Sequence, residues 1–242
     1  MRVQKGMSNG VYGVTKIYKN METVDVIILS NTANFEYYGK LKKCIATLKS
    51  SSNIETNIIV IETNKKLRGK DLKLPIDTFY IPEDEEFNYN KFLNYGLTFC
   101  KHDYLCISNN DVYYNKDVLY TLVDHLTEYD SVSPWDDNST WRFHQTKDIH
   151  VGFSTRAFVT GWCIVTKRDT IDRIGGKFDE RFSFWFQDDD YSKLLEANDL
   201  THALIGNVSV WHDCGQSHEL FSEQDRQRQT HGLAAVFEEK WK

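Results

Sequence analysis

Val24-Asp25-Val26-Ile27-Ile28-Leu29, followed at once by Ser30-Asn31-Thr32, is the stretch on which the reading of this chain turns. β-branched residues fill it, it is too short for an ordinary helix, and it stops at a polar turn. That composition predicts a strand buried on both faces, of the kind found inside a parallel sheet. Downstream, Tyr37, Leu41, Cys44, Ile45 and Leu48 recur at spacings of three and four among Lys40, Lys42, Lys43 and Lys49. Such a pattern predicts a helix laid over one sheet face. Asn57-Ile58-Ile59-Val60-Ile61 is a second apolar strand, ending in Glu62-Thr63-Asn64. Strand, helix and strand in this order predict a right-handed crossover, and the polar residues closing both strands are expected along one common edge.

The same punctuation continues on either side. Phe79-Tyr80-Ile81 reads as a short strand stopped by Pro82, and Tyr89, Leu93, Leu97 and Cys100 again repeat at helical spacing. Tyr104-Leu105-Cys106-Ile107-Ser108 is the next strand and delivers Asn109-Asn110-Asp111 to its carboxyl end; Val118, Leu119, Leu122, Val123 and Leu126 stripe the helix after it. From Ser133 to Phe158, Trp135, Trp141, Phe143 and Phe153 are scattered among polar residues without a period, which predicts a loop covering a site. A strand from Phe158 to Thr166 interrupted by Gly161, a short helix from Thr170 to Ile174 and a Gly175-Gly176 turn follow. The aromatic run Phe182, Phe184, Trp185 and Phe186 leads into Gln187-Asp188-Asp189-Asp190, where Tyr191, Leu194 and Leu195 begin a helix. Val208 to His212 reads as a late strand. Residues 219–242 stay polar until Leu233, Val236, Phe237 and Trp241, the pattern of a helical appendix docked by its last turns.

With 242 residues and a hydrophobic fraction of 40%, the chain suffices for one α/β domain. Residues 1–22 are expected to form an arm or a short strand. Apolar runs fall far short of the roughly 20 residues of a membrane helix, and the first twenty residues lack the apolar core of a secretion signal. Five cysteines without paired spacing exclude a disulfide scaffold or zinc knuckle and suit a reducing compartment. The expected location is therefore cytoplasmic, with at most peripheral membrane contact. A net charge of -6 argues against a broad polyanion-binding face, although Lys65, Lys66, Arg68, Lys70 and Lys73 form one basic cluster. Nucleic acid is thus not a favoured partner.

Three clusters bear on chemistry. Asn109-Asn110-Asp111 is open to two readings: a hydrogen-bonded turn, or a site where Asp111 offers a hard oxygen to a divalent ion that also binds a substrate diphosphate. His212, at the end of an apolar strand, reads either as a satisfied structural histidine or as a second ligand, and mixed oxygen and nitrogen ligation favours manganese over magnesium. Asp188, Asp189 and Asp190 read either as an acidic helix start capped by Asp190 or as a group whose mutual repulsion lifts one pKa far enough for it to act as a base. No nucleophile elbow, Walker loop, zincin sequence or dinucleotide fingerprint is present.

Taken in order, these elements resemble a family 2 glycosyltransferase of the GT-A fold, from about Val24 to Ser217. They are the opening strand, Glu62, Asn88 to Gly96, Tyr104 to Val112, Gly161 to Val165, Ile174 to Glu180, Gln187 to Asp190, and His212 with Ser217. The resemblance implies an α/β fold with a mostly parallel central sheet flanked by helices. Residues 23–218 would form a single catalytic domain, with a nucleotide half at 23–130 and an acceptor half at 131–218. Asn31 and Glu62 would line the nucleotide base or ribose, and Asn94 matches the asparagine of the helix before the metal strand. Asn109, Asn110 and Asp111 stand at the metal signature of the donor site, where Asp111 matches the ligating acid and Asn109 replaces the usual second acid.

Gly161 and Trp162 match the segment beneath donor sugar and acceptor, joined on that side by Trp185, Gln187 and Asp189. Gln187-Asp188 resembles the family's Glu-Asp pair, with Asp188 as base and Asp190 as the later acid. His212 matches a histidine that approaches metal or diphosphate. The implied partners are a nucleotide-sugar donor, most commonly a UDP-sugar, a saccharide or other hydroxyl-bearing acceptor, and a Mn2+ or Mg2+ cofactor. The implied reaction is direct displacement at the anomeric carbon with inversion. Two rivals remain. A nucleotidyltransferase ordinarily needs a glycine-rich basic loop after the first strand, which Ser30-Asn31-Thr32-Ala33-Asn34 does not supply. A non-catalytic glycan- or nucleotide-binding protein of the same fold draws support from Asn109 and Gln187.

Overall fold

A computed structural model describes residues 22–68, 70, 72–81, 84–139, 147–155, 157–213 and 223–242, with side chains in the last stretch from Gly232 onward. Nearly all of the expected arm, together with Trp141, Phe143, Cys214 and Ser217, lies outside the described residues.

The opening strand is β1 (Thr23–Ser30), followed by α1 (Phe35–Lys49) and β2 (Glu55–Glu62). Next come β3 (Asp77–Tyr80), α2 (Tyr89–Leu97), β4 (Tyr104–Asn109), β5 (Val112–Tyr114) and α3 (Val118–His125). The second half adds β6 (Ser131–Asp136), β7 (Ile149–Val151), β8 (Cys163–Lys167), α4 (Arg168–Arg173), α5 (Gln187–Ala197), β9 (His202–His212) and α6 (Glu223–Lys240). One sheet runs in the order β3-β2-β1-β4-β8-β6-β9-β5, and β7 pairs with the start of β9.

β3, β2, β1 and β4 are parallel, as the continuous apolar runs predict. Beyond β4 the expectation of a mostly parallel sheet needs correction. β8 runs antiparallel to β4 and to β6, β9 is parallel to β6, and β5 and β7 are antiparallel to β9. β6 and β8 are buried like the parallel strands, so burial on both faces does not by itself require parallel neighbours. Three smaller corrections concern the same half. Ser133–Asp136 belongs to β6 and Ile149–Val151 to β7, so the expected covering loop contains strand at both ends. The strand expected from Phe158 begins only at Cys163, and the late strand starts at His202.

Both sheet faces are covered. Val24, Val26 and Ile28 point toward Leu41, Cys44, Ile45 and Leu48 of α1 and Leu119, Leu122 and Val123 of α3. Ile27 points the other way, toward Phe92 and Leu93 of α2 and Tyr191 and Leu195 of α5. Alternation along a strand sends neighbouring residues to opposite faces, and because both faces are covered β1 is apolar on each save for the buried Asp25. α2 crosses β1 so closely that a Cβ on Gly96 would sit 2.7 Å from Ile27 Cγ2, a separation only glycine allows. The result is a rigid platform whose β1, β2 and β4 carboxyl ends, and the β5–β9 pair beside them, carry the polar residues singled out above.

Candidate active site

The turn Asn110-Asp111 joins β4 to β5, and β5 pairs with the end of β9 so that Val112 lies opposite His212. The Asp213 backbone N–H donates to the Asp111 carbonyl at 3.0 Å. This pairing brings the two candidate ligands together: His212 Nε2 stands 3.5 Å from Asp111 Oδ1. Asp111 is buried, and its Oδ1 has no hydrogen-bond partner. A buried acceptor without a donor is unfavourable by itself. A divalent cation would relieve it, so Asp111 and His212 fit two ligands of such an ion. Among the described residues no group of three His, Cys, Asp or Glu gathers, so further ligands would come from substrate or water.

The surroundings hold this pair in place. Asp136, buried at the end of β6, accepts the His212 backbone N–H at 3.0 Å and that of Asn138 at 2.9 Å. The His212 ring stacks on Trp162 with centroids 4.9 Å apart. Lys40 of α1 reaches across to Asp213, 3.0 Å from Oδ2. Burial works against the Lys40 charge, but the hydrogen bond and charge of Asp213, with Glu36 and Asp111 behind it, raise its pKa. The Tyr113 hydroxyl is pushed up to about 12 by burial and then by Asp213 and Asp111. Lys40, Asp136 and Asp213 were not among the expected site residues. A lysine among lysines gives no local signal, whereas an acid closing a strand, as Asp136 does, is a readable cue.

Asp188 lies in the first turn of α5, which is reached through Phe186 in the left-handed region (φ 65°) with no side-chain cap. A non-glycine residue there is strained. Asp188 is packed against Gly161, where an added Cβ would lie 3.1 Å from its Cβ and 3.2 Å from its Oδ2. The Asp189 backbone N–H donates to Asp188 Oδ1 at 3.2 Å, and Asp189 Oδ1 accepts from Thr155 Oγ1 at 2.6 Å. Burial and the Asp188 charge push the Tyr89 hydroxyl above its ordinary range. Gln187 and Trp185 are half-buried beside them, and the Trp185 indole N–H is buried without a partner.

One peptide link joins the two ends. Gly161 touches Asp188; its neighbour Trp162 stacks on His212, and the Trp162 carbonyl accepts the Asn109 N–H at 2.9 Å. Asp188, Gly161, Trp162, His212 and Asp111 therefore form a continuous row of contacts.

The remaining expected residues divide. Asn31 is half-buried in the loop after β1, and Asn110 donates to Ser30 Oγ at 3.3 Å, so both border that loop. Glu62 is fully buried: its Oε1 accepts from Thr32 N (3.0 Å) and Asn64 N (2.8 Å), and its Oε2 from Thr32 Oγ1 (2.7 Å). Burial raises its pKa against these bonds. Glu62 shapes the loop that carries Asn31 and has no surface to offer a nucleotide directly. Asn94 is likewise committed elsewhere, accepting the Phe178 N–H at 2.8 Å and donating to the Phe178 carbonyl at 2.9 Å. It braces the Ile174–Glu180 segment from α2.

Residues 31–175, more than half of the chain, match the family described as Glycosyl transferase family 2. The chain belongs to that family. Its fold is similar to the crystal structure of S. aureus TarS 1-349, at 13% identity and TM-score 0.57 over 78% of this chain and 59% of that one. The crystal structure of S. aureus TarS gives 12% identity and TM-score 0.57 over 79% of this chain and 37% of that one. This chain thus spans less than two thirds of either. No curated protein matches it in sequence. Among the described residues no helix is long and apolar enough to cross a membrane.

Proposed function

We propose that this chain is a glycosyltransferase that moves a sugar from a nucleoside-diphosphate donor, with uridine diphosphate the favoured carrier, to an acceptor hydroxyl with inversion at the anomeric carbon. The observation that carries the reading is the row from Asp188 to Asp111. It puts a carboxylate capable of taking a proton at one end and an unsatisfied buried oxygen beside an imidazole at the other. Displacement needs those two functions on opposite sides of one reacting carbon.

Asp188 is assigned as the base that removes the acceptor hydroxyl proton as the oxygen attacks. Gly161, having no side chain, lets the Asp188 carboxylate lie close against the Gly161-Trp162 segment. Asp189 and Thr155 fix the first turn of α5 on one side. Asp111 and His212 would hold a divalent ion, with Mn2+ suited to the mixed ligands, and that ion when bound supplies positive charge to the leaving diphosphate. Trp162 orients the imidazole by stacking, and Asp136 fixes the strand that bears it. The loop from Ser30 to Asn34, held by Glu62, is the assigned resting place of the nucleotide, with Asn31 and Asn110 at its rim.

The test is product analysis with a panel of nucleotide sugars and hydroxyl acceptors. Expected are release of nucleoside diphosphate, a product of inverted anomeric configuration by NMR, and a loss of roughly 10²- to 10⁴-fold in kcat for Asp188→Asn. Release of pyrophosphate, retained configuration, or full turnover by the variant would overturn the reading.

A further inference from the structure

Three carboxylates crowd the first turn of α5, and Phe186 precedes them in a strained backbone conformation without a cap. Repulsion and strain both oppose a helix start of this kind, so its position must be set by what packs against it. What packs there comes from the far end of the chain. Phe237, Lys240 and Trp241 stand at spacings that share one face at the end of α6. Phe237 stacks on Phe186 with centroids 5.4 Å apart and meets Phe182 edge-on at 6.2 Å. Lys240 Nζ lies 2.9 Å from Asp179 Oδ2 and 2.9 Å from Asp190 Oδ2, while Trp241 Nε1 donates to Asp190 Oδ1 at 2.8 Å.

Asp190 is only 1% exposed and shares its helical turn with Asp188. Its carboxylate is gripped by two donors from one short segment, and the aromatic pair fixes the residue at which the helix begins. Removing either donor leaves a buried charge short of a partner, which strongly destabilises its local setting. Because Asp188 and Asp190 belong to one rigid turn, a shift at Asp190 is passed to Asp188 directly.

We infer that the end of α6 is a positioning device for the active site. Lys240 and Trp241 act through Asp190 to hold the start of α5 and so aim the Asp188 carboxylate at the acceptor hydroxyl. The inference rests on the reading of Asp188 as base. Misplacing a catalytic group by about 1 Å can lower a rate by roughly 10²-fold, whereas Asp111, in the β4–β5 turn, and His212, at the end of β9, make none of the contacts with the end of α6.

The test uses the full chain with Lys240→Met, Trp241→Phe, the double variant and Lys240→Arg. The methionine and phenylalanine variants are expected to lower kcat roughly 10-fold or more with donor KM changed less than about twofold. Lys240→Arg is expected to recover most of the rate. Amide hydrogen exchange should quicken across residues 183–192 while 104–112 keep their protection. A double variant with wild-type kcat would overturn the inference. So would a loss shared by kcat and donor KM with exchange faster throughout the chain, which marks a general buttress. Asp188→Asn, measured alongside, separates the two ideas: if it retains turnover, the base reading falls and this inference with it. If it is inactive while the double variant is fully active, only the positioning role falls.

Discussion

Two buried acids stand at the carboxyl edge of the sheet, Glu62 closing β2 and Asp111 just beyond β4, and their surroundings differ. Glu62 is surrounded by donors from Thr32 and Asn64. Asp111 keeps one oxygen buried without a hydrogen-bond donor, 3.5 Å from an imidazole nitrogen. The first arrangement is construction, because a satisfied carboxylate fixes a loop and has nothing left to give a ligand. The second is what the proposed function uses, because the buried Asp111 oxygen without a donor is a group that a cation would satisfy. Two carboxylates at one edge thus differ in what they leave open to a ligand, and the hydrogen-bond inventory, more than position, separates them.

Substitution should split the pair most sharply at Asp111. Asp111→Ala is expected to lower kcat/KM by roughly 10²-fold or more, with the denaturation midpoint unchanged or raised, since an unsatisfied buried group has been removed. Steady-state kinetics with urea denaturation checks both halves of that statement. Glu62→Ala should behave in reverse. It strands the Thr32 and Asn64 N–H groups and should lose about 2–4 kcal/mol of stability, read by the same denaturation, with donor KM rising as the loop loosens and kcat less affected.

A pH experiment sharpens the comparison with a third buried group. His202 is fully buried, its Nε2 beside the Phe158 carbonyl (3.0 Å) and its Nδ1 beside Ser131 Oγ (2.9 Å), so it donates from Nε2 and stays neutral. Burial lowers its pKa from 6.5 to about 4. The unfolded chain therefore binds the proton first, and stability present above pH 6.5 is lost as pH falls toward 4, by about 3 kcal/mol in all. Glu62 and Asp190, both raised by burial, act in the opposite sense. The expected outcome is accordingly a difference: wild type should lose more stability between pH 7 and 4.5 than His202→Gln, measured by thermal melts. The smallest effect is expected at Gly161, where Gly161→Ala places a methyl 3.2 Å from Asp188 Oδ2. Such a contact displaces the carboxylate slightly, so kcat should fall about 10-fold with an unchanged melting temperature.

The first half of the fold was legible because each of its elements announces itself locally. Val24 to Leu29, the buried Asp25 apart, and Ile58 to Ile61 are apolar on both faces, and α1 carries its stripe at helical spacing. The second half resisted because its arrangement depends on pairings between distant segments. β6 carries Pro134 and Trp135 at a register break against β9, which hides its strand character, and the direction of β8 is set by β4 rather than by its own residues. Of the site, Asp111, His212, Gly161, Trp162 and Asp188 could be picked out because strand ends, a glycine and an acidic helix start are visible in sequence. Lys40 and the Lys240 and Trp241 contacts to Asp190 were not, since each is created by tertiary packing, whereas Asp136, an acid closing a strand, carried a cue of the same kind. Sequence also could not say that Glu62 and Asn94 are committed to the protein's own backbone.

The proposed function gives Asp111 and Asp188 separate roles in one site. Its most direct test is calorimetric titration of UDP with Mn2+ into the wild type, Asp188→Asn and Asp111→Ala. Asp188→Asn is expected to bind as the wild type does while lacking turnover, and Asp111→Ala to lose the manganese-dependent part of binding. Equal manganese-dependent binding by Asp111→Ala, or binding lost in Asp188→Asn and kept in Asp111→Ala, would contradict it.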